Sequence, residues 1–240
     1  MRAVGFLLCC LIPWQVALAA PSAKVVLLDP GHGGEETGAI GSLDKGRKVY
    51  EKDLSLRLAH KIKKHLEKHA TVYLTRSIDR TVGLQERADM AEKLRADLFI
   101  SIHFNSSSDV KAHGFETYYL DNNNDAAVKK VEKQENLSLS GEEQVVHQIL
   151  VDLTIQQTVV ASKALAQAVH GELRSFMKPV GLTDRGIRAG LFYVLALSKR
   201  PGLLLEAGFV SNLKELKTIQ QEEFMERYAQ AVAQGIRKVL

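Results

Sequence analysis

Cysteine is nearly absent from this sequence of 240 residues: it has two, Cys9 and Cys10, and residues 21–240 contain none. Beyond residue 20 the chain therefore offers no disulfide, no cysteine nucleophile and no cysteine ligand for a metal. Aromatic residues make up only 6% of the chain. The basic residues are scattered, with few aromatics among them, which argues against a nucleic-acid-binding protein.

Apolar runs long enough to cross a membrane are also lacking. Residues 4–11 are apolar but too few for a span. They follow Arg2 and precede the small-x-small pattern of Ala17, Leu18 and Ala19. This pattern predicts a secretory signal peptide over residues 1–20 and a mature domain over residues 21–240. The formal net charge of +4 suits an exported protein that acts on an anionic polymer such as cell wall.

The apolar patterns predict alternating strands and helices. We expect strands at residues 25–28, 71–75, 97–103, 114–120, 191–196 and 201–205. We expect helices at residues 51–69, 82–95, 142–177 (one or two helices) and 224–240, with another capped by Asn212. Residues 35–48 and 179–190 are expected to be loops. This order predicts a single α/β domain with a twisted, mostly parallel sheet flanked by helices on both faces, plus a helical insert.

Four side chains are candidates for metal or acid–base chemistry. His32, His103 and Glu206 each follow or end a predicted strand, and Glu51 begins the first long helix. The carboxyl ends of parallel strands share one edge of a sheet, so the first three are expected to converge. Two imidazoles, one carboxylate and a water form a common catalytic zinc shell.

The residues by themselves leave alternatives open. A loop histidine such as His32 more often faces solvent, and Glu51 also suits a helix N-terminus because a carboxylate complements the helix dipole. Spacing does not decide which glutamate binds the metal. Glu206 is the least ordinary of the four, since an acid among apolar neighbours needs a partner.

Four motifs identify a resemblance that covers nearly the whole mature chain: LLDPGHGG (27–34), YEKDLSL (50–56), SIHFN (101–105) and LLLEAGFVSN (203–212). The sequence resembles the zinc-dependent N-acetylmuramoyl-L-alanine amidases with a type 3 catalytic domain. The resemblance implies one Zn²⁺ held by His32, Glu51 and His103, with Glu206 as general base. The implied reaction is hydrolysis of the amide between N-acetylmuramic acid and L-alanine in peptidoglycan.

Three further residues are candidates for supporting the site or contacting substrate. Asp29 either orients His32 or simply forms a turn before Pro30. Asn105 follows His103 closely and is a candidate substrate contact. Arg188 either binds a carboxylate of the stem peptide or is an ordinary surface arginine.

Residues 121–150 form a long polar segment where a tight connection would suffice. The segment resembles the regulatory insert of the septal amidases of Gram-negative bacteria, in which a helix blocks the zinc until an activator protein removes it. On this resemblance Glu135 is expected to cap the metal, with Glu132 as second choice. The alternative is a solvated charged helix. The resemblance also implies a periplasmic protein, with an extracellular one as second choice, and we expect a monomer.

Two other functions are compatible with the sequence. One is a wall-binding protein with an inactive amidase fold, against which the presence of all four motif residues argues. The other is a zinc hydrolase acting on small acylated amines.

Overall fold

The computed structural model of the protein describes residues 23–123, 125–136 and 141–240, and of residues 141–149 it describes the backbone alone. The strands in these residues are β1 Val25–Pro30, β2 Ile40–Ser42, β3 Lys48–Tyr50, β4 Thr71–Leu74, β5 Leu98–Asn105, β6 Phe115–Leu120, β7 Asp184–Gly190 and β8 Gly202–Phe209. The helices are α1 Glu51–Leu66, α2 Leu84–Lys93, α3 Ala126–Glu135, α4 Gly141–Met177, α5 Tyr193–Ser198, α6 Leu213–Ile219 and α7 Glu222–Arg237. The expected signal peptide lies outside the described residues.

Six strands form the central sheet, in the order β4-β1-β5-β8-β6-β7. Four of its five neighbouring pairs are parallel, and only β6 and β8 pair antiparallel. The expected α/β domain with a mostly parallel sheet is confirmed. The strands β6 and β7 therefore run opposite to the other four.

Both faces of the sheet are buried, which explains the nearly continuous apolar sequences of its central strands. In β8, Leu203 and Leu205 pack on the face covered by α1, α7 and the second half of α4. Leu204 faces the other way, toward α2, α3 and α5. Because side chains alternate along a strand, Glu206 shares the face of Leu204.

The helix α4 is continuous over 37 residues. Its Val151 packs with α5 on one face of the sheet, whereas Leu165 and Val169 belong to the core on the other face. Between them, Ser162 accepts a hydrogen bond from the backbone N–H of Gly202 at the start of β8. The end of the expected insert, residue 150, therefore lies inside this helix and not at an element boundary.

Two neighbouring segments differ from the sequence-based expectation. Residues 184–190, expected as loop, form the edge strand β7. Its sequence DRGIRAG places glycines and arginines where an apolar stripe would mark a strand, so pairing with β6 decides its conformation. The sequence predicts a strand over residues 191–196, but residues 193–198 form the helix α5. A short buried apolar run has no periodicity that separates helix from strand.

The segment 35–48, also expected as loop, contains the strand β2. It pairs antiparallel with β3 in a two-stranded sheet. With only three residues in each strand, there is too little alternation to predict it from sequence. Across the described residues, no helix is long and apolar enough to cross a membrane.

Close contact between α7 and α4 generates a prediction. A Cβ on Gly235 would lie 2.4 Å from the Cα of Val169, so Gly235→Ala is expected to destabilise the protein by about 1–3 kcal/mol. Gly171 on α4 is exposed and has open space around it. Gly171→Ala is therefore expected to stabilise by about 0.5–1 kcal/mol, since alanine favours helices. Urea unfolding of both variants measures the difference, and equal effects would contradict this packing.

Candidate metal centre and active site

A row of ionisable side chains crosses one face of the sheet. His103 on β5 pairs in register with Glu206 on β8, and Glu206 pairs in register with Glu116 on β6. In-register neighbours on one face lie close together, so the three side chains form a continuous row. All three are buried.

Four ligand atoms converge at one end of this row. They belong to His32, Glu51, His103 and Glu135, and all lie within 4.8 Å of one another. Nδ1 of His103 is 3.0 Å from Glu51 and 2.8 Å from Glu135, while Nε2 of His32 is 3.2 Å from Glu51. Among the described residues, Nε2 of His32 and Oε2 of Glu135 are buried, and their close contacts with Glu51 and His103 are not oriented as hydrogen bonds. This cluster could hold a metal ion.

His32 reaches the cluster from the glycine-rich loop after β1. Its φ of 58° lies in the left-handed region that few residues other than glycine adopt. The preceding residue, Gly31, lies flat against the ring of His103: a Cβ on Gly31 would be 2.3 Å from that ring. The glycine therefore allows the two histidines to lie side by side, with ring centroids 5.0 Å apart.

Glu51 is fixed at the first residue of α1 by four contacts. One carboxylate oxygen meets His103 and accepts a hydrogen bond from the N–H of Phe104, and the other meets His32 and accepts from the N–H of Ala39. Burial would raise the pKa of Glu51, but the charge of His32 and the hydrogen bond with His103 outweigh it and lower that pKa. The carboxylate is therefore ionised and ready to bind a cation.

His103 in the cluster and Glu206 beside it have pKa values that are shifted upward. Burial alone would lower the pKa of His103, but Glu135 and Glu51 outweigh it and raise the pKa well above 6.5. Burial, and then the charge of Glu135, raise the pKa of Glu206 well above 4.5. Neither carboxylate oxygen of Glu206 has a hydrogen-bond partner among the described residues. Glu206 is thus a basic carboxylate with free acceptor atoms beside the cluster.

The two candidate capping glutamates lie in different places. The carboxylate of Glu135, at the end of α3, joins the cluster. Glu132 points elsewhere, since it accepts a hydrogen bond of 2.7 Å from the N–H of Leu191 and pairs with Lys129. Glu135 therefore lies in the cluster, whereas Glu132, one helical turn earlier, attaches α3 to the loop before α5.

Asp29 supports the glycine-rich loop without contacting the His32 ring. It is buried on β1 and accepts hydrogen bonds from Thr75, Ser101 and Arg87. Arg87 in turn donates to the backbone carbonyl of His32 at 2.9 Å. Burial would raise the pKa of Asp29, but the charge of Arg87 outweighs it and lowers the pKa. The buried ion pair therefore holds the backbone from which His32 projects.

Asn105 and Arg188 both contact the buried carboxylate of Glu116. The Asn105 side chain donates to Glu116 at 3.3 Å. Nε of Arg188 lies 3.4 Å from Glu116, and its guanidinium donates to Asp125 at 2.7 Å. Neither residue is among the four that form the cluster.

Sequence reasoning missed Glu116 and Arg87. Glu116 lies within the alternating segment GFETYYL, where an acid at a core-facing position of a strand was the available signal. Arg87 gave no such signal, since an arginine on an amphipathic helix ordinarily faces solvent. Its burial follows only from the position of α2 beside β1.

The buried pair generates a prediction about stability. Asp29→Asn leaves the Arg87 guanidinium buried without a counter-charge, so a loss of about 3–5 kcal/mol in the free energy of unfolding is expected. Because the folded-state pKa of Asp29 is lowered, this contribution is lost as pH falls below about 4. Guanidinium unfolding at pH 7 and pH 3 measures both effects.

The matched control is Asp89→Asn, an exposed aspartate on the same helix as Arg87. It is expected to change stability by no more than about 0.5 kcal/mol. If the two variants were equally stable at pH 7, the Asp29–Arg87 pair would not support the loop.

Comparison with known proteins identifies the family of this chain. The family model described as N-acetylmuramoyl-L-alanine amidase matches residues 26–238. The amidase AmiA of Escherichia coli strain K12 is 32% identical over 223 residues, covering 89% of this chain and 75% of that protein. The amidase AmiC of Escherichia coli O6:H1 is 31% identical over 224 residues, covering 89% of this chain and 52% of that protein. The chain thus spans about half the length of AmiC.

A solved structure has the same fold. The catalytic domain of CwlV, an N-acetylmuramoyl-L-alanine amidase from Bacillus (Paenibacillus) polymyxa var. colistinus, superposes with a TM-score of 0.68 at 36% identity. The match covers 90% of this chain and 97% of that domain. This chain belongs to the N-acetylmuramoyl-L-alanine amidase family with a type 3 catalytic domain.

Proposed function

We propose that this protein hydrolyses the amide between N-acetylmuramic acid and L-alanine in peptidoglycan, using one zinc ion. The observation that carries the proposal is the convergence of His32, Glu51 and His103 beside Glu206, whose buried carboxylate has no hydrogen-bond partner among the described residues. Family membership supports the same reaction. A cleft of about 420 Å³ is lined by His32, Glu51 and Phe104, and substrate would approach the metal site from it.

The donor atoms fit a zinc ion. Zinc prefers imidazole nitrogens and carboxylate oxygens in tetrahedral sets, and the cluster offers two of each. The unpartnered Nε2 of His32 is an atom that a cation would satisfy. His32, Glu51 and His103 would hold the ion. A bound zinc ion would polarise the scissile carbonyl and lower the pKa of a water molecule to about 7.

Glu206 would move the protons of the reaction. Its carboxylate accepts a proton from the attacking water as the new carbon–oxygen bond forms. It then donates that proton to the nitrogen of L-alanine as the carbon–nitrogen bond breaks. Burial is the largest cause of the raised pKa of Glu206, and a raised pKa suits a group that must both take and return a proton.

A test of the chemistry uses Glu206→Gln, which keeps the size of the side chain and removes its basicity. Release of stem peptides from purified sacculi is expected to fall by about 10²–10⁴-fold, while zinc content stays at one ion per chain. His103→Ala is expected to lose both zinc and activity. The control is Glu223→Gln, an exposed glutamate on α7, which should leave activity unchanged.

Other outcomes distinguish the alternative functions. Zinc-loaded, folded protein that binds sacculi and releases nothing, even as the Glu135→Ala variant, would support a wall-binding protein. Cleavage of small acylated amines but not of sacculi would support a different zinc hydrolase.

We also propose that α3 inhibits the enzyme. A catalytic zinc site keeps one position for water, and Glu135 occupies the fourth place in the cluster, 2.8 Å from His103. Two apolar residues of α3, Val128 and Val131, are buried against the sheet. Such a small contact is compatible with displacement of the helix by a partner.

The inhibition proposal predicts that Glu135→Ala raises basal activity. An increase of about 5- to 100-fold is expected, the usual range of coupling between two states, with zinc content unchanged. Lys133→Ala is the matched control, because Lys133 is exposed on the same helical turn. Release of stem peptides from sacculi measures both variants. An unchanged rate in Glu135→Ala would rule out inhibition through this carboxylate.

Partner and location follow from the same proposal. Leu153 and Val160 on the outer face of α4 are 49% and 82% exposed, so they offer apolar contacts to an activator protein that displaces the insert. The pattern in residues 1–20 supports export to the periplasm. We propose that the enzyme works there as a monomer on peptidoglycan.

A further inference from the structure

The N-terminal end of α3 makes a second contact with the active-site face. One carboxylate oxygen of Asp125 caps the helix by accepting from the N–H of Ala127 at 2.8 Å. The other accepts from the Arg188 guanidinium at 2.7 Å. The helix is therefore held by a carboxylate at each end, Asp125 on Arg188 and Glu135 in the metal cluster.

Removal of α3 would leave Arg188 without its main anionic partner. Two arginines, Arg185 and Arg188, share the buried carboxylate of Glu116. With Asp125 present, the two arginines face two carboxylates, those of Glu116 and Asp125. Without it, one positive charge is in excess, and the buried Nε of Arg188 already has no hydrogen-bond partner among the described residues. The site then favours another carboxylate, because a guanidinium binds carboxylates through paired hydrogen bonds.

The spacing between the two ends matches an extended peptide. Helix α3 has ten residues, which corresponds to about 15 Å at 1.5 Å per residue. Glu116, which Arg188 contacts, lies two strands away from His103, or about 10 Å at 4.8 Å per strand. An extended chain covers about 3.3–3.6 Å per residue, so a span of about 10–15 Å corresponds to roughly three or four residues.

We propose that α3 mimics the stem peptide, and that Arg188 binds a carboxylate three or four residues beyond the scissile amide. In the inhibited state Glu135 takes the place of the scissile carbonyl and Asp125 takes the place of the stem-peptide carboxylate. When α3 leaves, the stem peptide lies along the same row, from His103 past Glu116 to Arg188. This inference rests on the proposed amidase function and makes Arg188 a residue that selects substrate.

The test compares two soluble muramyl tetrapeptides that differ only at the C-terminus, one a free carboxylate and the other a carboxamide. Full-length Glu135→Ala protein and the same protein with Arg188→Gln hydrolyse both. With the carboxylate substrate, Arg188→Gln is expected to raise KM by about 5- to 50-fold with little change in kcat, as expected for a charge-assisted hydrogen bond. With the carboxamide substrate, KM should be the same in both proteins.

A control and a second variant separate this role from a structural one. Arg174→Gln removes an exposed arginine that pairs with Asp184 at the start of β7, and KM should be unchanged. Asp125→Asn keeps a good helix cap and removes the charge opposite Arg188. In a chain that retains Glu135, this change is expected to raise basal activity by up to about fivefold, since the pair is partly exposed.

The outcomes are decisive. Equal effects of Arg188→Gln on the two substrates, or no effect on either, would overturn the assignment of Arg188. If Glu135→Ala protein hydrolyses neither substrate, the proposed amidase function fails. Calorimetric binding of the two peptides to protein that carries both Glu135→Ala and Glu206→Gln, with and without Arg188→Gln, then still decides whether Arg188 recognises the carboxylate.

Discussion

The carboxylate of Glu51 is the interaction on which the site depends. It meets both histidines and also accepts hydrogen bonds from the backbone of β5 and of the segment before β2. One buried side chain thus connects four segments: α1, the glycine-rich loop after β1, β5, and the segment that leads into the two-stranded sheet of β2 and β3. Burying an ionised carboxylate is costly unless charged or hydrogen-bonded partners surround it. That requirement fixes the relative positions of all four segments.

The sheet distributes charge so that most buried groups have a defined counter-charge. Asp29 is neutralised by Arg87 on one side of the cluster, and Glu116 by Arg185 and Arg188 on the other. Between them, Glu206 has no hydrogen-bond partner among the described residues. Burial, and then the charge of Glu135, raise the pKa of this carboxylate. This is the arrangement expected where a carboxylate has to exchange protons with substrate.

Helix α3 contacts charged groups at both ends of this row. The carboxylate of Glu135 at one end lies in the cluster, and that of Asp125 at the other end binds Arg188. In between, Glu132 accepts a hydrogen bond from the loop before α5. The helix buries little apolar surface compared with α4, which runs from one face of the sheet to the other. Specific polar contacts with a small apolar contact area suit an element that competes with substrate and is then displaced.

Much of this protein is determined locally by its sequence. Apolar runs predicted β1, β4, β5 and β8, helical periodicity predicted α1, α2 and α7, and the four motifs, through the family resemblance that they carry, singled out His32, Glu51, His103 and Glu206. These elements form because their apolar spacing and glycine placement suit only one conformation. The weak strand β7 and the short helix α5 depended on tertiary pairing, because six or seven residues without periodicity have no strong preference of their own. The resemblance had already singled out Glu135, whereas only the tertiary structure placed Glu116 and Arg87 at the site, because the register of the sheet and the packing of α2 set the neighbours of these charged residues.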